Sequence, residues 1–92
     1  MKMLMCSVFD TTNSKFMAPW YAQNEEDAKR SFKLIMNGND LMKQNPSDFE
    51  CYVIAQFDDD RGIVNDNYLK SNIDYSYEPL RLYKGGEILH EA

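Results

Sequence analysis

The chain has 92 residues, of which 43% are hydrophobic and 13% aromatic. This length fits one domain with a shallow core, and the composition is typical of a globular chain rather than a disordered one. Fifteen acidic residues against ten basic ones give a net charge of −5, which weighs against a strong general binder of nucleic acid. No apolar run approaches 18 residues, so no membrane span is predicted.

The first two predicted elements form a hairpin. Residues 3–9 are apolar at nearly every position, which is typical of a strand buried on both faces. Turn-forming residues follow at 10–14, and residues 16–22 predict a second strand. Pro19 has no N–H to donate, so this second strand is expected at a sheet edge or with a bulge. Because Asp10 ends the first apolar run and no small-residue cleavage site follows, we expect a strand rather than a signal peptide, and a cytoplasmic protein.

Residues 25–37 predict the main helix. Asn24 is a suitable N-cap, and three acidic residues occupy the first turn, where the helix dipole favours negative charge. One apolar stripe then follows at i, i+4, i+7 and i+8, formed by Ala28, Phe32, Ile35 and Met36. Asn37 and Gly38 end the helix.

The second half of the chain predicts further strands. Residues 49–57 form a strand, with Cys51, Val53, Ala55 and Phe57 expected on one face by alternation. The acidic turn 58–62 leads into a return strand beginning at Ile63. A long polar connection follows from residue 65, with a helical turn near 67–72, and residues 80–83 alternate like a last strand.

These elements define an α+β fold. We expect an antiparallel sheet of four to five strands in β-β-α-β-β order, with one main helix packed on one face. Residues 1–84 would form a single domain, and residues 85–92, which begin with two glycines, a flexible C-terminal tail. One helix covers only one face of a sheet, so the other face needs cover from residues 65–83 or from a second subunit. A two-fold homodimer is the expected solution.

No catalytic or metal-binding pattern is present in the sequence, so neither an enzyme nor a cofactor is expected. The acidic run Asp58–Asp60 invites comparison with a calcium loop, but Ile63 and Leu69 stand where that loop needs Gly and Glu. Cys6, Cys51 and His90 cannot supply a four-ligand site, and both thiols are expected to be reduced and buried.

A set of aromatic, basic and exposed apolar residues forms the candidate surface for a nucleic acid or a protein partner. Its members are Trp20, Tyr21, Lys29, Arg30, Lys33, Leu34, Arg81 and Lys84. Rings interleaved with cations suit single-stranded nucleic acid, because bases stack on rings while Lys and Arg track the backbone. The alternatives are a core or subunit-contact role for the aromatic residues, a salt-bridged outer face for the basic cluster, and an ordinary exposed Leu34.

Short motifs occur along residues 3–64 in a fixed order. The first is the strand end Val8-Phe9-Asp10, and the second runs from just before the helix into it, through Ala22, Asn24, Ala28, Arg30 and Phe32. The loop, strand and turn that follow carry Pro46, Asp48, Phe49, Phe57, Asp58 and Gly62. In this order and spacing the chain resembles the small nonstructural protein family of gokushovirus-type microviruses, which are single-stranded-DNA phages.

The resemblance implies a protein that is made in the infected bacterium, in the host cytoplasm, and is absent from the virion. It implies a role in genome replication or in the switch from replication to packaging, through contacts with phage or host proteins such as a replication initiator or the procapsid. Some family members are described as DNA-binding, which makes single-stranded-DNA binding the alternative function. No catalytic residue carries over.

Overall fold

Six strands and four α-helices make up the described part of the chain, residues 1–71 and 79–89 of a computed structural model. The strands are β1 Lys2–Asp10, β2 Lys15–Phe16, β3 Trp20–Ala22, β4 Phe49–Asp58, β5 Ile63–Asn65 and β6 Leu80–Lys84. The helices are α1 Glu25–Asn37, α2 Asp40–Gln44, α3 Asn67–Lys70 and α4 Gly85–Leu89, with a 3-10 turn at Pro46–Asp48. None of these helices combines the length and the apolar character that a membrane span requires.

The six strands fill only four positions across the sheet. Strands β1 and β4 lie antiparallel at its centre, and β2 and β3 both pair with the outer edge of β1. On the other side, β5 and β6 both pair with β4. The structure confirms the predicted α+β fold, and the two strands at each edge explain why the strand count exceeds the predicted four to five.

The predicted second strand is broken in two at Pro19. Its pieces, β2 and β3, pair with opposite ends of β1 at the sheet edge. Between them the Met17 N–H donates to the Val8 carbonyl at 2.8 Å. The buried Ser7 hydroxyl donates to the Met17 carbonyl at 2.6 Å. A side-chain hydrogen bond is therefore made where the ladder of backbone hydrogen bonds along β1 is interrupted.

Helix α1 spans the predicted residues and packs its predicted stripe on the sheet. The Asn24 side chain caps it by accepting from the Asp27 N–H at 2.8 Å. Ala28, Phe32 and Met36 are fully buried, and Ile35 packs beside them. They meet alternate residues of β1, namely Leu4, Cys6 and Val8, in two adjoining core clusters.

Strand β4 contains a bulge at Ile54. Met5 lies opposite Ala55 and Cys6 opposite Val53, so Ile54 has no partner on β1. Residues directly opposite each other share a face, so Cys51 and Val53 point towards α1, whereas Ala55 and Phe57 point away from it. The prediction of one common face for these four residues is therefore wrong, because the extra residue reverses the alternation.

The chain does not become a free tail at residue 85. Residues 85–89 form α4, and Gly85 is buried against Met36 and the 3-10 turn. The expected flexible tail is corrected to a packed helix over these residues, while 90–92, with His90, lie outside the described residues. The helical turn predicted near 67–72 is present as α3, whose Leu69 is buried in the core.

Candidate interaction surface

One face of the sheet is left without a helix in the described part of the chain. All four helices contribute to the core on the side of Leu4 and Val8, through Phe32, Met42, Leu69 and Gly85. The pairing register of the strands shows which residues lie on the opposite face of the sheet, which we call the open face. Its apolar members are Met3, Met5, Phe9, Phe16, Tyr21, Tyr52, Ala55, Phe57 and Val64, and its charged members are Glu50, Arg81 and Lys84.

Aromatic rings contact one another at both ends of the open face. At one end the ring centroids of Phe9 and Phe16 lie 4.7 Å apart, and Tyr52 meets both rings edge-on at 5.8 and 5.3 Å. At the other end Tyr21 and Phe57 lie 5.1 Å apart. Phe16 remains 45% exposed and Tyr21 46%, so these rings form an apolar surface in solvent rather than a closed core.

The charges of the open face gather along one edge, around Glu50. The Glu50 carboxylate accepts from the Tyr52 hydroxyl at 3.2 Å and from the Arg81 guanidinium at 3.3 Å. Burial, followed by the proximity of Glu50, raises the pKa of Tyr52, which keeps its hydroxyl a donor. Lys84 lies opposite Glu50 in the register. Arg81 is thus held by a carboxylate of its own chain.

The candidate residue Trp20 belongs to the core rather than to the surface. It lies opposite Cys6 on the helix-covered face and packs against both core clusters. Its Nε1 is buried and has no hydrogen-bond partner among the residues that the structure describes. The core interpretation therefore applies to Trp20, whereas its neighbour Tyr21 lies on the open face.

The basic candidates of α1 lie on the opposite side of the molecule from the open face. Arg30 forms an ion pair with Asp27 at 3.1 Å, and Lys29 sits 5.7 Å from the ring centre of Tyr83. Lys33 and Leu34 share this helix, and Leu34 is 69% exposed. Apart from Trp20, which belongs to the core, the predicted set is thus divided in two, with Tyr21, Arg81 and Lys84 on the open face and the α1 residues on the other side of the molecule.

The acidic turn lies against the N-terminus. The Asp58 carboxylate accepts the backbone N–H groups of Asp60 and Arg61 at 3.0 and 3.3 Å. The Met1 ammonium donates to Asp59 and to Asp60, the latter at 2.7 Å, and these contacts raise its pKa to about 10. The three carboxylates lie close enough for a cation, but two of them already hold this ammonium.

A groove of about 530 Å³ opens between the end of the sheet and the start of α1. It is lined by Lys2, Leu4, Gln56, Tyr68 and the first residues of α1. The Tyr68 hydroxyl donates to Glu25, and burial, followed by this contact, raises the pKa of Tyr68. The acidic first turn of α1 opposes a phosphate here despite the helix N-terminus.

Several members of the open face were not among the predicted site residues, namely Met5, Phe9, Phe16, Tyr52 and Phe57. Part of this face could be inferred from the sequence, because residues 3–9 are apolar at nearly every position, which indicates that both faces of that strand need cover. Phe57 could not be assigned, because the Ile54 bulge that turns it outward leaves no mark in the sequence. Tyr75 and Tyr77, two further rings that precede Arg81 and Lys84 in the sequence, lie outside the described residues.

The structure therefore defines a small α+β protein with an exposed aromatic sheet face. The profile of the family described as "Phage ORF5 protein" matches residues 3–73, which is more than half of the chain. The chain belongs to this family and is a phage protein. No curated protein and no solved structure matches it.

Proposed function

We propose that this phage protein is a non-enzymatic factor that acts through protein contacts in genome replication, or in the switch from replication to packaging. It would act in the cytoplasm of the infected bacterium, as a nonstructural protein of the gokushovirus type. Membership of a phage family and the resemblance of residues 3–64 support this role. The open face of the sheet is the observation that supports protein contact as the mode of action.

The composition of the open face is that of a protein-contact surface. Interface cores are enriched in Tyr, Phe, Met and Arg and depleted in Lys and Glu. The described part of this face has two methionines, three phenylalanines and two tyrosines, whereas its charged residues are confined to Glu50, Arg81 and Lys84. A protein that presents such a face to solvent gains apolar burial when a partner covers it.

Single-stranded-DNA binding is the second candidate, and one observation favours it. The exposed rings of Phe16 and Tyr21 share the open face with Arg81 and Lys84, so bases could stack while the cations meet phosphates. The net charge of −5 opposes it, as does the pairing of Arg81 with Glu50. Protein contact is therefore the better-supported function.

The test is complementation of a phage that lacks this gene by a plasmid copy. Tyr21→Glu and Val64→Lys place charges on the open face, and Leu34→Lys places one on the outer side of α1 as the matched control. We expect the open-face variants to reduce single-stranded genome synthesis or virion yield at least tenfold, and the control to behave as wild type. Full complementation by folded open-face variants would refute the proposal.

Direct titration with an oligonucleotide distinguishes the second candidate function, single-stranded-DNA binding, from protein contact. The purified protein is mixed with a labelled oligonucleotide at low salt, and the anisotropy is followed as salt is added. Phosphate contacts release counterions, so true DNA binding must weaken steeply with salt. If binding weakens steeply with salt and is lost in Tyr21→Glu, the function of this face is DNA contact rather than protein contact.

A further inference from the structure

We propose that a second copy of this chain covers the open face, so that two sheets stack about a two-fold axis lying between them. The proposal rests on the proposed function in one respect, namely that the open face makes protein contacts. It names the first partner of that face. Stacked sheets lie about 10 Å apart with their strands nearly aligned, and the side chains of both faces interdigitate.

The dimensions of the open face match what a dimer needs. Strand β1 has nine residues and is therefore about 30 Å long, since a strand rises about 3.3 Å per residue. Four strand positions at about 4.8 Å give a width of about 19 Å and an area on the order of 600 Å². Two copies would bury about 1,200 Å², which reaches the range of specific interfaces.

The distribution of charge permits two identical faces to meet. Arg81 and Glu50 neutralise each other within one chain, which leaves Lys84 and a face charge of +1 (two cations minus one carboxylate) among the described residues. The acidic residues of the 58–62 turn and of the first turn of α1 belong to other parts of the surface. Self-association therefore brings few like charges together, although each chain carries −5.

The same charge distribution disfavours a polyanion as the occupant. A single-stranded nucleic acid needs cations along the path of its backbone. On the open face the two cations lie on one strand, β6, and one of them is already paired. The rings of Tyr21 and Phe57, at the other end of this face, have no cation beside them among its described residues.

Sedimentation equilibrium of the purified chain between about 5 and 200 µM tests the proposal. We expect a mass of twice the 10.8 kDa of one chain at the upper concentrations. Val64→Lys and Tyr21→Glu, which alter side chains 55% and 46% exposed in one chain, should raise the dimer dissociation constant at least tenfold. Leu34→Lys, at a side chain 69% exposed on α1, should leave it unchanged. Circular dichroism checks that each variant is folded.

A wild-type mass of one chain throughout this range would overturn the proposal, as would a dimer that both open-face variants leave intact. If the monomer instead binds an oligonucleotide with a steep salt dependence, the occupant is nucleic acid. A dimer that the variants abolish, together with full phage complementation, would uphold this inference and refute the proposed function. If the wild type is a monomer and its open-face variants still fail to complement the phage, this inference is refuted and the proposed function is upheld.

Discussion

Gly85 lies so close to Pro46 that a Cβ on Gly85 would be 2.1 Å from the Pro46 carbonyl oxygen. The same Cβ would be 2.8 Å from the Met36 sulfur and 2.9 Å from the Phe49 carbonyl oxygen. The glycine therefore allows the start of α4 to approach both the 3-10 turn and the core. Two of the three crowded atoms belong to the backbone and cannot rotate away.

Gly85→Ala should accordingly destabilise the protein. We expect a loss of roughly 1–3 kcal/mol or more in the free energy of unfolding, measured by urea denaturation. Gly86→Ala is the matched control, because a Cβ there meets its nearest atom, in Ser47, at 3.5 Å, an ordinary contact. Equal stability of the two variants would show that α4 does not pack as described.

Phe32→Ala should remove the central core contact of α1. Phe32 is fully buried among Val8, Met36 and Cys51, so its truncation should cost about 3–5 kcal/mol. Leu34→Ala, on the exposed side of the same helix, should change stability by less than about 0.5 kcal/mol. Thermal and urea unfolding measure both, and near-native stability of Phe32→Ala would contradict the packing of α1 on the sheet.

Asn24→Ala should weaken the start of α1. The variant loses the 2.8 Å bond from the Asp27 N–H, at an expected cost of about 1 kcal/mol, whereas Asn24→Ser should retain most of the stability. Asp27 in turn accepts from the Gln23 N–H at 3.0 Å. This contact, followed by the contact with Arg30, lowers the pKa of Asp27. The ionised Asp27 therefore contributes to the free energy of unfolding above the ordinary pKa of 3.8, and this contribution is lost as the pH falls below that value.

The two thiols should be unreactive in the folded protein. Burial is the main cause that raises the pKa of Cys6 and of Cys51 to about 12 from the ordinary 9.0. A disulfide reagent at pH 8 should therefore label neither thiol quickly until urea unfolds the chain. Rapid labelling under native conditions would contradict the burial of this part of the sheet.

The same thiols should make stability depend on alkaline pH. The unfolded chain loses these protons near pH 9 and the folded chain only near pH 12, so stability falls as the pH rises through this interval. Urea midpoints of the wild type and of the double variant Cys6→Ala, Cys51→Ala give the comparison. The wild type should lose stability more steeply between pH 9 and 11, and parallel curves would exclude this linkage.

Local chemistry made some elements predictable from sequence. The bounds of α1 followed from the Asn24 cap, the 3.6-residue stripe and Gly38, because a cap and a helix period act within a few residues. The edge position of the second predicted strand followed from the missing N–H of Pro19, although its division into β2 and β3 was not predicted. The turn at 58–62 was equally local, with Gly62 at a positive φ of 68°.

Features that depend on long-range pairing could not be predicted. The Ile54 bulge arises where β4 meets β1, and it decided that Phe57 belongs to the open face. Trp20 appeared to be a surface ring because an edge strand is half exposed, yet its register opposite Cys6 turned it inward. For α4, the two glycines indicated flexibility, whereas one of them is needed for close packing against Pro46.

The extra residue Ile54 also determines which genetic changes this protein tolerates. Loss of that one codon would remove the bulge and leave Val53 opposite Cys6 and Ala55 opposite Met5, so that Ala55 and Phe57 would stay on the open face while Gln56 and Asp58 stay on the helix side. One further residue at this point would instead widen the bulge or shift the pairing of the second half of β4 by one position, which turns its side chains to the other face. Natural variation at this point of β4 should therefore include the loss of one residue more readily than the gain of one.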